Sequence, residues 1–286
     1  MKRFNYCNMT NYLNTDIDIN PDKSAGLYDE LPFWAAPFGL KLLDNIKLKK
    51  NMTVLDIGFG TGFPLTELAM RLGNSSKIYG IDPWEQAIKR AESKIEYYGI
   101  NNVEIIRGVA ENIPLEDNSV DLITSNNGIN NVSDVDKVMS GCARIMKKGG
   151  QFVMTINLDK TMIEFYDIME IVLKELKMEA ELIKMQKQIY KKRKPLTEYK
   201  NLIEQHGFSV VKVIHDQFDY KFVDGTTMLN HYFIRLSFLD GWKSIFPTKK
   251  QDDIFKKIEN YMNEKAYADG FFKLSVPFAL IDCEKK

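Results

Sequence analysis

The stretch that decides the fold reads VLDIGFGTG and covers residues 54–62. A β-rich run ends in three glycines at alternate positions, Gly58, Gly60 and Gly62, and a helical pattern follows. Glycine lets the backbone turn tightly and removes side chains that would fill a ligand's volume. An ordinary strand-to-helix turn needs one glycine only. Three of them, preceded by Asp56, therefore favour a ligand-binding loop at the carboxyl end of a strand.

Short β-rich runs alternate with helical patterns on both sides of this loop. The predicted strands cover residues 53–57, 77–81, 103–107, 120–125 and 151–156. The predicted helices between them cover residues 63–72, 84–98 and 133–146, and Gly149 with Gly150 is expected to close the last one. The strands are nearly continuous in Val, Ile and Leu, which is typical of strands covered on both faces. The alternation predicts an α/β fold with a mostly parallel sheet and right-handed crossovers.

The second half of the chain has a different pattern. Helices are predicted at residues 161–176, 196–206, 226–239 and 252–268, and strands at 209–222 and 272–281. The two late strands thus bracket a helical insertion, residues 226–268, which is expected to cap the substrate side of the site. The basic run KKRK at 191–194 is interpreted as a solvated helix end rather than a nucleic-acid contact.

Composition narrows the class of protein. The 286 residues are 44% hydrophobic and carry 39 basic and 39 acidic side chains. A sizeable core is therefore expected, and the lack of basic excess disfavours nucleic acid as a partner. Residues 1–14 contain charges but no apolar core of a signal peptide, and no run is long enough to span a bilayer. Cys7, Cys142 and Cys283 form no disulfide framework or metal motif, so a cytoplasmic protein with reduced thiols is predicted.

The second predicted strand ends in Asp82, followed by Pro83 and Trp84. A carboxylate at this place can accept hydrogen bonds from both ribose hydroxyls of a nucleoside. The alternative is that Asp82 only caps the helix expected to begin at Pro83. Its position one strand after the glycine loop favours ribose binding. Trp84 would either stack on an adenine face or be an ordinary core or surface tryptophan.

Polar residues also follow the third and fourth predicted strands. Residues 108–114 read GVAENIP, and residues 124–134 read TSNNGINNVSD. The carboxyl ends of parallel strands meet at one edge of a sheet, so both loops are expected where a cofactor and a substrate meet. Two alternatives stay open: Glu111 as a solvent-facing charge, and the loop asparagines as simple turn formers.

Taken in order, these elements resemble the class I S-adenosylmethionine (SAM) methyltransferases, with residues 54–62 as their motif I. The likeness is nearest to the small-molecule methyltransferases of ubiquinone and menaquinone biosynthesis, in a subgroup without an assigned substrate. The resemblance implies a Rossmann-like, seven-stranded, mostly parallel sheet. It also implies an N-terminal helical lid at residues 1–50, a SAM-binding core at 51–158 and a C-terminal half at 159–286 that completes the sheet.

The same resemblance implies SAM as the cofactor, S-adenosylhomocysteine as the product, and a set of site residues. Val109 stands where the family usually has an aspartate that reaches the adenine amino group, so backbone around Ala110, together with Glu111, would have to read adenine. The residues implied in cofactor binding are Asp56, Gly58, Phe59, Gly60, Gly62, Asp82, Pro83, Trp84, Ala110, Glu111, Asn126 and Asn127. Those implied at the substrate or lid are Tyr28, Trp34 and Asn130.

Methyl transfer from a sulfonium is an in-line displacement in which the cofactor supplies the reactive carbon. The protein mainly positions the acceptor, so no catalytic residue is required, and none is identified. His231 is the best candidate base, and a structural role for it is the alternative. The expected acceptor is a small organic molecule, with no metal, nucleic acid or membrane as partner, for a monomer or homodimer.

Two rival functions follow from the same residues. An NAD-dependent oxidoreductase would use a similar fold, although Phe63 stands where the dinucleotide fingerprint has its third glycine. A non-catalytic SAM-binding regulator would keep the pocket without turnover.

Overall fold

The computed structural model describes Leu13 and residues 33–286. Within that part, the chain forms two compact units. The core unit comprises residues 33–159, Lys192–Asp216 and Pro277–Lys286. The helical unit comprises Lys160–Lys191 and Gln217–Val276. The predicted boundaries at residues 50 and 158 stay predictions.

Seven strands form one sheet in the order β3-β2-β1-β4-β5-β7-β6. They are β1 (Thr53–Ile57), β2 (Lys77–Asp82), β3 (Val103–Arg107), β4 (Val120–Asn126), β5 (Met146–Asn157), β6 (Phe208–Phe222) and β7 (Phe272–Lys285). The pairs among β1 to β5 are parallel, and β7 runs antiparallel to β5. The prediction of a seven-stranded, mostly parallel sheet is therefore confirmed.

Eleven helices are described within residues 33–286, apart from short 3-10 and π turns. They are α1 (Ala35–Leu43), α2 (Leu65–Leu72), α3 (Glu85–Tyr97), α4 (Val135–Ile145), α5 (Ile163–Glu175), α6 (Glu179–Lys192), α7 (Leu196–Gln205), α8 (Gly225–Asn230), α9 (Tyr232–Ile234), α10 (Asp240–Lys243) and α11 (Gln251–Asp269). Local interactions explain where two of these helices begin or end. The Asp134 side chain accepts a hydrogen bond from Lys137 N at the start of α4, and α2 ends at Gly73, whose φ is +64°.

Alternate residues of β1 belong to two different hydrophobic clusters of the core unit. Val54 is buried in a cluster with residues of α1 and α2, such as Leu42 and Leu65. Leu55 is buried in a cluster that includes Val138 of α4 and residues of α7. Side chains alternate between the faces of a strand, so both faces of β1 are covered, as its continuous apolar sequence predicts.

Two predictions of local structure are wrong, and one helix was missed. Gly149 and Gly150 do not close α4, because β5 already begins at Met146 and holds both glycines at a shift in its register with β4. The helix predicted at 226–239 is interrupted at His231, whose ψ of 130° is extended and ends α8. Helix α6 was not predicted at all.

The helical unit has a core of its own around Trp242. This side chain is buried, stacks on Phe165 with ring centroids 3.9 Å apart and donates a hydrogen bond to Tyr166 Oη. Trp242 of the insertion thus packs in an aromatic core together with Phe165 and Tyr166 of α5. A capping role for residues 226–268 stays a prediction.

The structure describes only part of the N-terminal segment. Of the predicted N-terminal lid, the structure describes Leu13 and residues 33–50, which contain α1; Tyr28 and Cys7 lie outside the described residues.

No helix among the described residues combines the length and the apolar character needed to cross a membrane.

Candidate functional site

The loops that follow β1, β2, β3 and β4 surround a cavity of about 560 Å³ in the core unit. Its walls are formed by residues 34–36, 57–61, 63, 81–84, 109–111, 126–128 and 131–133. The cavity lies at the carboxyl ends of parallel strands, which is where open α/β sheets bind ligands. It brings together every residue predicted to bind the cofactor except Asp56 and Gly62, and it also includes Trp34.

The glycine loop has two functions that the spacing alone did not separate. Gly58 and Gly60 line the cavity with positive φ values of 74° and 55°. A Cβ added to Gly60 would meet no atom within 4 Å, so a side chain there would enter the cavity. Gly62 does not line the cavity; its φ is +110°, and an added Cβ would lie 3.3 Å from Ala91 Cβ. It serves the packing of the loop on α3.

The loop after β4 comes very close to the loop after β1. A Cβ added to Gly128 would lie 2.5 Å from the Ile57 carbonyl oxygen, and one added to Gly58 would lie 3.0 Å from Gly128 Cα. Only glycine allows such an approach of two backbones. Gly128 was not singled out from the sequence; the signal available was a glycine among asparagines at the end of a strand.

Asp82 is buried at the end of β2, and its carboxylate holds two backbone groups. Its Oδ2 accepts a hydrogen bond from Gly60 N at 2.9 Å, and its Oδ1 accepts one from Trp84 N at 2.8 Å. Burial raises the pKa of Asp82, while these two hydrogen bonds lower it. Helix α3 begins at Glu85, with Trp84 at the N-cap, so the alternative that Asp82 caps a helix starting at Pro83 is wrong.

Asp56 is fully buried and does not line the cavity. Its Oδ1 accepts a hydrogen bond from Thr124 Oγ1 at 2.7 Å, and its Oδ2 has no hydrogen-bond partner among the described residues. Burial raises its pKa to about 7; the Thr124 hydrogen bond lowers it and the charge of Asp82 raises it. The structure thus gives Asp56 a place in the core of the sheet rather than in the cavity wall.

The loop after β3 forms another wall. Ala110 and Glu111 line the cavity, and Glu111 Oε1 accepts hydrogen bonds from Ser133 N at 2.7 Å and Asp134 N at 3.1 Å. Glu111 therefore holds the segment that precedes α4, which a purely solvent-facing charge would not do. Val109 also lines the cavity.

Apolar side chains close the side of the cavity near α1. Trp34, which directly precedes α1, and Phe63 line this region. Helix α1 packs closely there, because a Cβ added to Gly39 would overlap the Phe63 ring at 2.1 Å. In the sequence, Phe63 argues against a dinucleotide, but no pattern there predicts its place in the cavity wall.

The three asparagines singled out after β4 have different surroundings. Asn126 lines the cavity, donates to Ala35 O at 3.2 Å and accepts from Thr155 Oγ1 at 3.1 Å. Asn127 also lines the cavity. Asn130 does not; it is hydrogen-bonded to Asn127 instead. These asparagines build a wall and its support, so they are more than turn formers.

The candidate base is elsewhere in the chain. His231 belongs to the helical unit and does not line the cavity. Burial lowers its pKa, and its Nδ1 has no hydrogen-bond partner among the described residues. In the part of the chain that the structure describes, no group of three or more His, Cys, Asp or Glu side chains could hold a metal ion. Use of no metal stays a prediction.

Known proteins are similar to this chain in sequence and in fold. A family model described as a methyltransferase domain matches residues 48–261. The chain is 34% identical over 109 residues to the demethylmenaquinone methyltransferase of Geobacillus stearothermophilus. These aligned residues are 38% of this chain and 47% of that protein. It is 32% identical over 123 residues to the ubiquinone/menaquinone biosynthesis C-methyltransferase UbiE of Escherichia coli O1:K1, covering 43% and 49%. The chain thus spans about half the length of the curated relatives it matches.

A solved structure has the same fold over nearly its whole length. The YcgJ protein of Bacillus subtilis is 19% identical and superposes with a TM-score of 0.54, covering 87% of this chain and 97% of that one. The predicted Rossmann-like architecture of the class I methyltransferases is confirmed.

Proposed function

Because the chain belongs to the methyltransferase-domain family, we propose that it transfers a methyl group from SAM to a small organic molecule. The observation that carries this proposal is the cavity wall in which Asp82 and the Gly58–Gly60 loop are joined by a hydrogen bond. Such a wall offers a carboxylate for ribose hydroxyls beside a loop in which Gly58 and Gly60 carry no side chain.

The residues present fit this cofactor. A carboxylate has about four lone-pair sites, and Asp82 uses one on each oxygen, so both oxygens retain capacity for the ribose hydroxyls. Gly60 leaves open the volume that any Cβ would take, which suits the methionine part. Trp84 and Ala110 provide an apolar surface for adenine on the β2 and β3 side of the cavity.

The cofactor supplies an electrophilic methyl group on a sulfonium. The part of the protein in this reaction is to align the acceptor and to exclude water. Trp34, Phe63 and Val132 give the cavity wall apolar surface that would do both. This wall and the names of the two curated relatives favour an apolar acceptor with a ring, methylated at carbon.

The rival functions have less support. The comparisons give no support to an NAD-dependent oxidoreductase or to a non-catalytic regulator. We further propose that the protein is cytoplasmic, is a monomer or homodimer, uses no metal, and has neither nucleic acid nor a membrane as partner.

Calorimetric titration of the full chain with SAM, S-adenosylhomocysteine and NAD tests the cofactor. We expect both adenosyl compounds to bind one per chain and NAD to show no binding. Conversion of SAM to S-adenosylhomocysteine in the presence of a small-molecule fraction of a cell extract tests the activity. Binding of NAD in preference to SAM would overturn the cofactor assignment, and SAM binding without turnover in any fraction would favour the regulator.

A further inference from the structure

A chain of hydrogen bonds leads from a buried tyrosine of α7 to the cavity wall. Tyr199 Oη donates to Asn130 Oδ1 at 3.1 Å. Asn130 Nδ2 in turn donates to Asn127 Oδ1 and to Asn157 Oδ1. All four residues belong to the core unit, and of the four only Asn127 lines the cavity.

A backbone donor settles which way these amides face. Asn157 N approaches the Asn127 side chain at 3.3 Å and can only donate, so the Asn127 atom there must be the oxygen. Asn130 must then offer its nitrogen to that oxygen, and its own oxygen faces Tyr199. Burial raises the pKa of Tyr199 to about 12, so its hydroxyl keeps the proton that this arrangement requires.

The consequence is that the Asn127 amide nitrogen faces away from this network. Its two N–H groups have no hydrogen-bond partner among the described residues, although Asn127 lines the cavity. The backbone is held as well: Asn127 N donates to Thr155 Oγ1 at 3.0 Å, and its φ of 59° places it in the left-handed region. A fixed amide donor is thus presented at the wall.

The strand order indicates what this donor meets. Asp82 ends β2, the glycine loop follows β1, and Asn127 follows β4, which is the next strand beyond β1. Neighbouring strands are about 4.8 Å apart, so Asn127 stands roughly 10 Å from the ribose carboxylate, on the far side of the glycine loop. With ribose at Asp82, the methionine part extends in this direction, and its carboxylate is the group there that accepts hydrogen bonds.

We propose that the Asn127 amide donates a hydrogen bond to the methionine carboxylate of the cofactor, and that Tyr199 positions this amide through Asn130. This inference rests on the proposed function. Tyr199 touches no ligand itself; without its hydroxyl, the Asn130 oxygen lacks its donor and Asn130 is less firmly oriented. One of the two groups that hold the Asn127 oxygen is then weakened, while Asn157 N still holds it.

Two ligands, one with the amino-acid part that carries the carboxylate and one without it, provide the test. Calorimetry would compare S-adenosylhomocysteine with 5′-methylthioadenosine, which has the nucleoside and sulfur but no amino-acid part. Tyr199→Phe should weaken S-adenosylhomocysteine binding roughly tenfold and change 5′-methylthioadenosine binding less than about twofold. Asn127→Asp keeps the acceptor for Asn130 and Asn157 but puts a negative charge at the wall. This variant should therefore lose more affinity for S-adenosylhomocysteine than Tyr199→Phe does, again with little change for 5′-methylthioadenosine.

Tyr166→Phe is the matched control, because Tyr166 is also buried and hydrogen-bonded through its hydroxyl, in the helical unit. It should leave the affinity for both ligands unchanged. Equal losses for both ligands in Tyr199→Phe, or an unchanged affinity for S-adenosylhomocysteine in Asn127→Asp, would overturn the inference. Failure of the unaltered protein to bind S-adenosylhomocysteine would instead overturn the proposed function.

Discussion

The carboxylate of Asp82 accepts a hydrogen bond from the backbone N–H of Gly60 at 2.9 Å, and thereby ties the end of β2 to the loop after β1. The two strands are neighbours in the sheet, and Asp82 is buried between their ends. Asp82, the residue proposed to bind ribose, therefore also holds the glycine loop, on which the methionine part is proposed to lie.

Asp82→Ala should weaken SAM binding about tenfold to a hundredfold. The reason is the loss of hydrogen bonds to a charged acceptor, worth roughly 1.5–3 kcal/mol, and of the support of Gly60 N. Calorimetry measures the affinity. Asp121→Ala is the matched control: Asp121 accepts from Thr53 N at 2.8 Å at the amino end of β4, away from the cavity wall. Equal loss of SAM affinity in both variants would contradict the assignment.

Gly60→Val should abolish measurable SAM binding, because its side chain enters the cavity. Gly99→Val separates this effect from backbone strain. Both glycines have positive φ, 55° and 65°, and at both an added Cβ meets no atom within 4 Å, but only Gly60 lines the cavity. Both variants should lose about 1–3 kcal/mol of unfolding free energy, and only Gly60→Val should lose the ligand. Binding at the original affinity in Gly60→Val would contradict the placement of SAM.

Gly128→Ala should destabilise the protein by about 1–3 kcal/mol, since its Cβ would lie 2.5 Å from Ile57 O and force two loops apart. SAM affinity should fall with it, because the glycine loop moves. Chemical denaturation and calorimetry measure the two effects. Gly108→Ala is the control, because an added Cβ there meets nothing within 4 Å. Similar stability of the two variants would show that the close approach of Gly128 to Ile57 is unimportant.

Asp56 should make the stability of the protein fall as the pH rises from about 4 to 7. Burial raises its pKa from 3.8 to about 7 in the folded protein, so between these values the folded state binds more protons than the unfolded state. At about 1.4 kcal/mol per pH unit, the full effect is on the order of 4 kcal/mol.

Urea denaturation of the original protein and of Asp56→Asn at several pH values measures this effect. The asparagine can still accept the hydrogen bond from Thr124 but carries no charge. The difference between the two proteins in unfolding free energy should therefore change in favour of Asp56→Asn as the pH rises to 7. A constant offset that does not vary with pH would contradict the raised pKa.

The parallel sheet and most of the cavity wall could be predicted from the sequence, because both have local causes. A buried strand such as β1 is continuous in apolar residues, and parallel strands place their carboxyl ends at one edge. Gly58, Asp82, Ala110 and Asn126 each lie at the end of a strand or in the loop after it, so the order of the strands along the chain was enough to bring them together.

What only the tertiary structure decided are the contacts between residues far apart in the chain. Periodicity shows that a residue is buried but does not identify its neighbour, so it could not separate Asp56, inside the sheet, from Asp82 at the cavity. Nor could it show that Gly128 meets Ile57, or that Tyr199 supports Asn130 across 69 positions. These contacts depend on how neighbouring strands pair and on where α7 packs, and both are fixed by the folded core rather than by any local pattern.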